Sequence, residues 1–176
     1  MKFTLQIIFF SIFSFLVSCQ PKETSFNDTI EVLEQFSDLQ SIIDTDKNTL
    51  WVINFWATSC PPCLKEMPHF KELEKEFKDK NLKILLISLD QVKHLEVRVY
   101  PFVKKYEIVP EVALLEDQNY SAWKDKIDTT WNGALPASVI IKGEKRRSIK
   151  LMRSLTIVNC SLQYSKLFKL IYYHIY

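Results

Sequence analysis

Glycine is nearly missing from this chain. Of 176 residues only Gly133 and Gly143 are glycine, so no glycine-rich loop exists to gather backbone N–H groups around a phosphate. Histidine is equally scarce: His69, His94 and His174 stand at spacings that complete no metal shell by themselves. Neither sign of charge is in excess, and the formal net charge of +2 is too small to argue for nucleic acid or for strong binding to an anionic surface. The chain has no internal repeats. Its last segment lacks acidic residues altogether, with seven Lys or Arg after Glu144 but no Asp or Glu.

What is present is a cysteine pair in an informative place. Cys60-Pro61-Pro62-Cys63 follows directly on the apolar run Leu50–Trp56 and directly precedes Leu64–Lys78, which reads as a helix. Two cysteines three positions apart at a strand-to-helix junction can close a small disulfide ring. The first turn of a helix has N–H groups without intrahelical partners and about half a positive charge, so a thiolate is stabilised there. Cysteines so placed have pKa values of about 3.5 to 7.5, against about 8.5 for a free thiol. Cys60 is therefore expected to attack a disulfide, and the more shielded Cys63 to resolve the mixed disulfide. Pro61 and Pro62 suit the first helical turn, because proline lacks an N–H and has φ pre-set, and they stiffen the ring. With no cation inside the motif to lower the Cys60 pKa further, a reducing poise is weakly favoured. A purely structural bridge over two residues closes too small a loop to contribute much chain entropy.

The N-terminus reads as a targeting signal. Lys2 is followed by the apolar run Phe3–Val17, too short for a comfortable span of about 20 residues. Leu16-Val17-Ser18-Cys19 resembles the lipobox of bacterial lipoproteins, which implies cleavage after residue 18 and lipid on Cys19, anchoring the protein to a membrane. The alternative is a soluble secreted protein in which Cys19 is a spare thiol. Both put the domain outside the cytoplasm. Cys160 is left over. The expected division is a signal peptide at 1–18, a polar tether at 19–35, a domain at 36–152 and an atypical basic and apolar tail at 153–176.

Within the domain, Ser37 with Phe36, Leu39, Ile42 and Ile43 predicts a short helix capped by the serine. Leu50–Trp56 reads as a strand, and Leu82–Leu89, a nearly continuous apolar run, as a strand buried on both faces. Along Leu64–Lys78, Leu64, Met67, Phe70, Leu73 and Phe77 recur at helical spacing. Val92–Tyr106 reads as helix despite Pro101, Val112–Leu115 as strand and Tyr120–Ile127 as helix. Ser138–Ile141 and Arg146–Leu151 form a hairpin around Lys142-Gly143-Glu144. Alternating strands and helices with a terminal hairpin predict an α/β fold, a mixed β-sheet flanked by helices.

Asn54-Phe55-Trp56-Ala57-Thr58-Ser59-Cys60-Pro61-Pro62-Cys63, then Glu66 and Pro68, and later Gly133-Ala134-Leu135-Pro136-Ala137-Ser138, resemble the thioredoxin fold, and more closely the membrane-tethered TlpA/ResA-type thiol-disulfide oxidoreductases. The resemblance spans roughly residues 36 to 147. It implies that Pro136 is in the cis form and faces the cysteine pair, with Leu135 offering backbone hydrogen bonds to a substrate. It implies that Trp56 packs against the disulfide, and that Glu66 lies near the pair. If Glu66 is buried, desolvation favours its protonated form and it can influence the thiol protons; the alternative is a solvated helix glutamate. Trp123 and Trp131 read as core or groove wall. The chain departs from the family at Ser59, where many relatives carry tryptophan, and after Glu144, where a mixed-charge helix is expected.

The favoured function is reduction of disulfides in exported proteins, with c-type cytochrome maturation as the substrate area the family implies and a membrane electron donor as the source of reducing power. The redox-active disulfide is the only redox group required, with no added cofactor and no metal. Thiol oxidation is the alternative direction. A thioredoxin-fold peroxidase is a further alternative, with Thr58 two residues before Cys60. A soft-metal site of Cys60, Cys63 and His69 is the binding alternative.

Overall fold

The computed structural model describes residues 29–143 and 145–149, the last five through their backbone. The signal at 1–18, Cys19, the tether up to residue 28, and the tail at 153–176 with Cys160 lie outside the described residues.

Every position of strand β2 (Leu50–Trp56) is buried. A strand without polar alternation needs cover on both faces, which requires a central position in a sheet between two helical layers. β2 holds that position. It pairs in parallel with β3 (Leu82–Ser88) and antiparallel with β5 (Ala137–Lys142). β4 (Glu111–Leu115) extends the parallel part beyond β3, β1 (Glu31–Leu33) forms one edge, and β6 (Lys145–Ile149) forms the other against β5. The order across the six-stranded sheet is β1-β4-β3-β2-β5-β6.

The period of two along each strand sorts the core into two layers. Val52 and Trp56 of β2 and Leu86 of β3 pack with Met67, Phe70 and Leu73 of α2 (Pro61–Phe77) and with Val103 of α3 (Tyr100–Lys105). Trp51, Ile53 and Phe55 face the opposite side, against Phe36, Leu39 and Ile43 of α1 (Phe36–Thr45) and Trp123 and Ile127 of α4 (Tyr120–Ile127). Burying each such side chain stabilises the fold by about 1.5–3 kcal/mol relative to exposure, so the sheet is fixed against both helical layers.

Four details differ from the sequence expectations. The fold begins before residue 36: Glu31–Leu33, assigned to the tether, pair with Ala113–Leu115, and Ile30 and Leu33 are buried. α1 starts at Phe36, with Gln35 rather than Ser37 at the cap, and the Asp38 carboxylate accepts the Gln35 N–H at 2.9 Å. β3 ends at Ser88, one residue short of Leu89. The helix expected over 92–106 is a 3₁₀ turn at Val92–His94, a π turn at Leu95–Val99 and then α3. Pro101 accounts for the last change: its ring clashes with the carbonyl four residues back and it has no N–H to donate, so the chain widens before the proline and resumes a regular helix with the proline in its first turn. The terminal hairpin forms as expected through residue 149, with Gly143 supplying φ +55° at the turn.

Candidate active site

The end of β2 is tied to the end of β3 before the chain turns into α2. Leu89 N–H donates to the Trp56 carbonyl at 2.8 Å, and Cys60 N–H donates to the Ala57 carbonyl at 3.1 Å. Cys60 keeps extended backbone at the N-cap of α2, and Pro61 and Pro62 occupy the first helical positions, where a missing N–H removes no helix bond. Leu64 N–H donates to the Cys60 carbonyl at 3.2 Å, and the Cys63 N–H, which the prolines leave as the first donor of the helix, points at Cys60 Sγ at 3.3 Å. The two sulfurs are bonded at 2.03 Å, with Cα atoms 5.3 Å apart.

Exposure divides the roles. Cys60 is partly exposed, whereas Cys63 is 0% exposed. Cys60 is thus the sulfur open to a partner, and it lies on the Cys63 N–H at the positive end of α2.

Two of the expected site residues share a core layer with the pair. Trp56 and Cys63 belong to one core layer, and Cys60 and Leu135 pack against that layer. Trp56 also stacks at a tilt on Phe102, with ring centroids 5.1 Å apart. The Leu135–Pro136 peptide bond is cis. The loop leading to it is held by Trp131, whose Nε1 donates to the Ala134 carbonyl at 2.9 Å. Glu66 is 7% exposed and one helical turn from Cys63, so the solvated alternative is not the one observed. Trp123 is core: its ring lies on Phe36 at 5.2 Å, and its Nε1 donates to the Asp117 carbonyl at 3.1 Å. His69 Nδ1 sits 3.7 Å from Glu72, and among the described residues no three His, Cys, Asp or Glu form a group that could hold a metal ion.

Asp90 was not among the residues singled out from the sequence. It is 6% exposed just past β3, and all three side-chain or backbone partners donate to it: Thr58 N at 2.8 Å, Thr58 Oγ1 at 2.7 Å and Ser88 Oγ at 2.9 Å. Burial pushes the Tyr120 phenol above its ordinary range, and the charge of Asp90 adds to that. One sequence signal pointed here: an acidic residue directly after a continuous apolar strand, at the carboxyl end of a parallel sheet where such folds place their sites.

Residues 24–146 match the AhpC/TSA family. The chain belongs to that family. It is similar to curated thiol-disulfide oxidoreductases: it is 37% identical over 90 residues to thiol-disulfide oxidoreductase ResA of Bacillus cereus (strain ZK / E33L), covering 51% of this chain and 46% of that protein. It is 33% identical over 76 residues to thioredoxin-like protein YneN of Bacillus subtilis (strain 168), covering 43% of this chain and 44% of that protein. The chain spans about half the length of the curated relatives it matches. Among solved structures, a thiol:disulfide interchange protein from Bacteroides sp. superposes with a TM-score of 0.55 at 20% identity, over 72% of this chain and 76% of that one. A thioredoxin family thiol:disulfide interchange protein from Chlorobium tepidum TLS gives a TM-score of 0.55 at 22% identity, over 70% and 80%. These likenesses show that this AhpC/TSA member has the thioredoxin fold.

Proposed function

We propose that this protein is a thiol-disulfide oxidoreductase that works outside the cytoplasm and reduces disulfides of exported proteins. The observation that carries the reading is the asymmetric pair at the start of α2, a partly exposed Cys60 bonded to a fully buried Cys63. In the reduced protein the Cys60 thiolate attacks one sulfur of the substrate disulfide. The substrate S–S bond breaks, its second sulfur leaves as a thiolate and takes up a proton, and Cys60 is held in a mixed disulfide. Cys63 then loses its proton and attacks Cys60 Sγ. The mixed disulfide breaks, the first substrate sulfur leaves as a thiol, and the Cys60–Cys63 bond forms. Two electrons have passed from the pair to the substrate. The backbone of Leu135 aligns the substrate strand, and the buried Glu66 carboxyl serves the thiol protons.

A membrane electron donor returns the pair to the dithiol, and lipid on Cys19 tethers the domain at the membrane. Among the described residues no helix is long and apolar enough to cross a membrane. Disulfides met during c-type cytochrome maturation are the proposed substrate class. Thiol oxidation uses the same two sulfurs in the opposite sense and is separated from reduction by potential. The peroxidase alternative is less supported, because the Thr58 hydroxyl is engaged by Asp90 and the resolving sulfur sits one turn away in the same motif.

The test is the exchange reaction of the purified protein with a disulfide-containing substrate protein. Cys63→Ser should accumulate mixed disulfides through Cys60, visible as adducts on non-reducing gels, and Cys60→Ser should abolish exchange. Full activity in Cys60→Ser would overturn the assignment.

A further inference from the structure

We infer that Asp90 is a positioning residue for the attacking sulfur, acting through Thr58. The inference rests on the exchange reading of the Cys60–Cys63 pair. A buried carboxyl is an expensive way to fill space, since desolvation penalises the charged form unless every lone pair finds a donor. Here the donors are specific. Two of the three belong to Thr58, inside the turn that delivers Cys60 to the N-cap of α2, and the third belongs to Ser88 at the end of β3. Ser88 also accepts the Asp90 N–H at 3.2 Å, so the carboxyl is itself held in place.

The consequence is geometric. The turn from Ala57 to Cys60 has one bond of its own, Cys60 N–H to the Ala57 carbonyl, and the Asp90–Thr58 bonds anchor its middle to the neighbouring strand. Cys60 Sγ can stay on Cys63 N–H only while that turn holds its shape. Without Asp90 the Thr58 N–H and O–H are left without acceptors in a largely enclosed place, and the turn must rearrange to find others. Such a rearrangement moves the sulfur off the helix axis and removes the stabilisation of its thiolate.

The experiment measures the rate of alkylation of Cys60 by iodoacetamide at pH 7 in a Cys63→Ser background, alongside disulfide exchange in the protein with both cysteines. Asp90→Ala should slow alkylation about tenfold or more, the loss expected when a helix N-terminal thiolate reverts to an ordinary thiol. Thr58→Val, which removes one bond and keeps the N–H, should slow it several-fold, and Thr58→Ser should restore the original rate. Thr49→Val is the control for lost stability alone: Thr49 is 0% exposed, bonds to Asp46 and Asn81 at the opposite end of β2, and should leave the rate unchanged. Should Asp90→Ala not fold, the Thr58 pair decides. Original rates in folded Asp90→Ala, or in Thr58→Val, would overturn the inference. Absence of disulfide exchange in the unsubstituted protein, with the alkylation rates still ordered as described, would overturn the exchange reading and leave the positioning role standing.

Discussion

Replacing Trp123 tests whether the aromatic cluster on the α1 and α4 side of the sheet is core or ligand surface. Trp123 is 1% exposed and touches four rings: Phe36 at 5.2 Å, Tyr120 at 5.3 Å, and Phe55 and Trp131 at 5.9 Å. Truncation to alanine removes a buried tryptophan, at about 3–5 kcal/mol, and the bond from Nε1 to the Asp117 carbonyl, at about 1 kcal/mol. The sum approaches the total stability of about 5–15 kcal/mol of a small domain, so Trp123→Ala should yield little folded protein. Trp123→Phe is the informative variant. It keeps one ring against Phe36, loses the Asp117 bond worth about 1 kcal/mol, and forfeits part of a stacking term worth about 0.5–1.5 kcal/mol. A loss of about 2 kcal/mol, divided by an m-value of about 2 kcal/mol/M, lowers the urea midpoint by about 1 M. The assay is equilibrium urea unfolding followed by far-ultraviolet circular dichroism, with the m-value checked for constancy. An unchanged midpoint with an altered exchange rate would refute the core assignment and make Trp123 part of the substrate surface.

Other perturbations separate the supporting parts. Trp131→Phe removes the bond to the Ala134 carbonyl while keeping a ring beside Phe55; it should cost about 1 kcal/mol in urea unfolding and raise KM for exchange, because the loop before Pro136 loses its anchor. Glu74 gives a pH signature. Burial, with the charge of Glu111 adding, holds its carboxyl above the ordinary 4.5, so the folded protein binds that proton more tightly than the unfolded chain. Its contribution is complete below about pH 4.5 and is lost as pH rises through the folded value. Glu74→Gln should therefore raise Tm at about pH 7 and leave it nearly unchanged at about pH 4, measured by thermal scans; an equal shift at both would show that charge is not the cause.

The parts of the fold that were legible in the sequence are those set by local pattern. The apolar run Leu50–Trp56 reads as a strand, Leu82–Leu89 as a strand covered on both faces, and the three-and-four spacing of Met67, Phe70, Leu73 and Phe77 as one face of a helix. The cysteine pair was legible because its chemistry follows from spacing and from its place before that helix. β1 was not, since three residues are too few to show a period and their pairing depends on β4, some eighty residues later. The π turn at Leu95–Val99 was hidden for another reason. Its residues have an ordinary helical composition, and Pro101 announces that something must change without saying whether the helix will kink, end or widen. The position of Asp90 after an apolar strand could be noticed, but its role was not legible, because its partner Thr58 lies 32 positions away and only the parallel register of β2 and β3 brings the two together. The cis bond before Pro136 was expected from family resemblance alone, because about one X-Pro bond in twenty is cis.

The most direct test of the proposed reductase is the reduction potential of the Cys60–Cys63 pair, obtained by equilibrating the purified protein against glutathione or dithiothreitol buffers and quantifying the dithiol by mass after alkylation. The expected value is near that of thioredoxin, about −270 mV, at which the pair can donate electrons once a dedicated donor has reduced it. A value near about −120 mV would contradict it, because a pair with that potential takes electrons from thiols rather than giving them to disulfides.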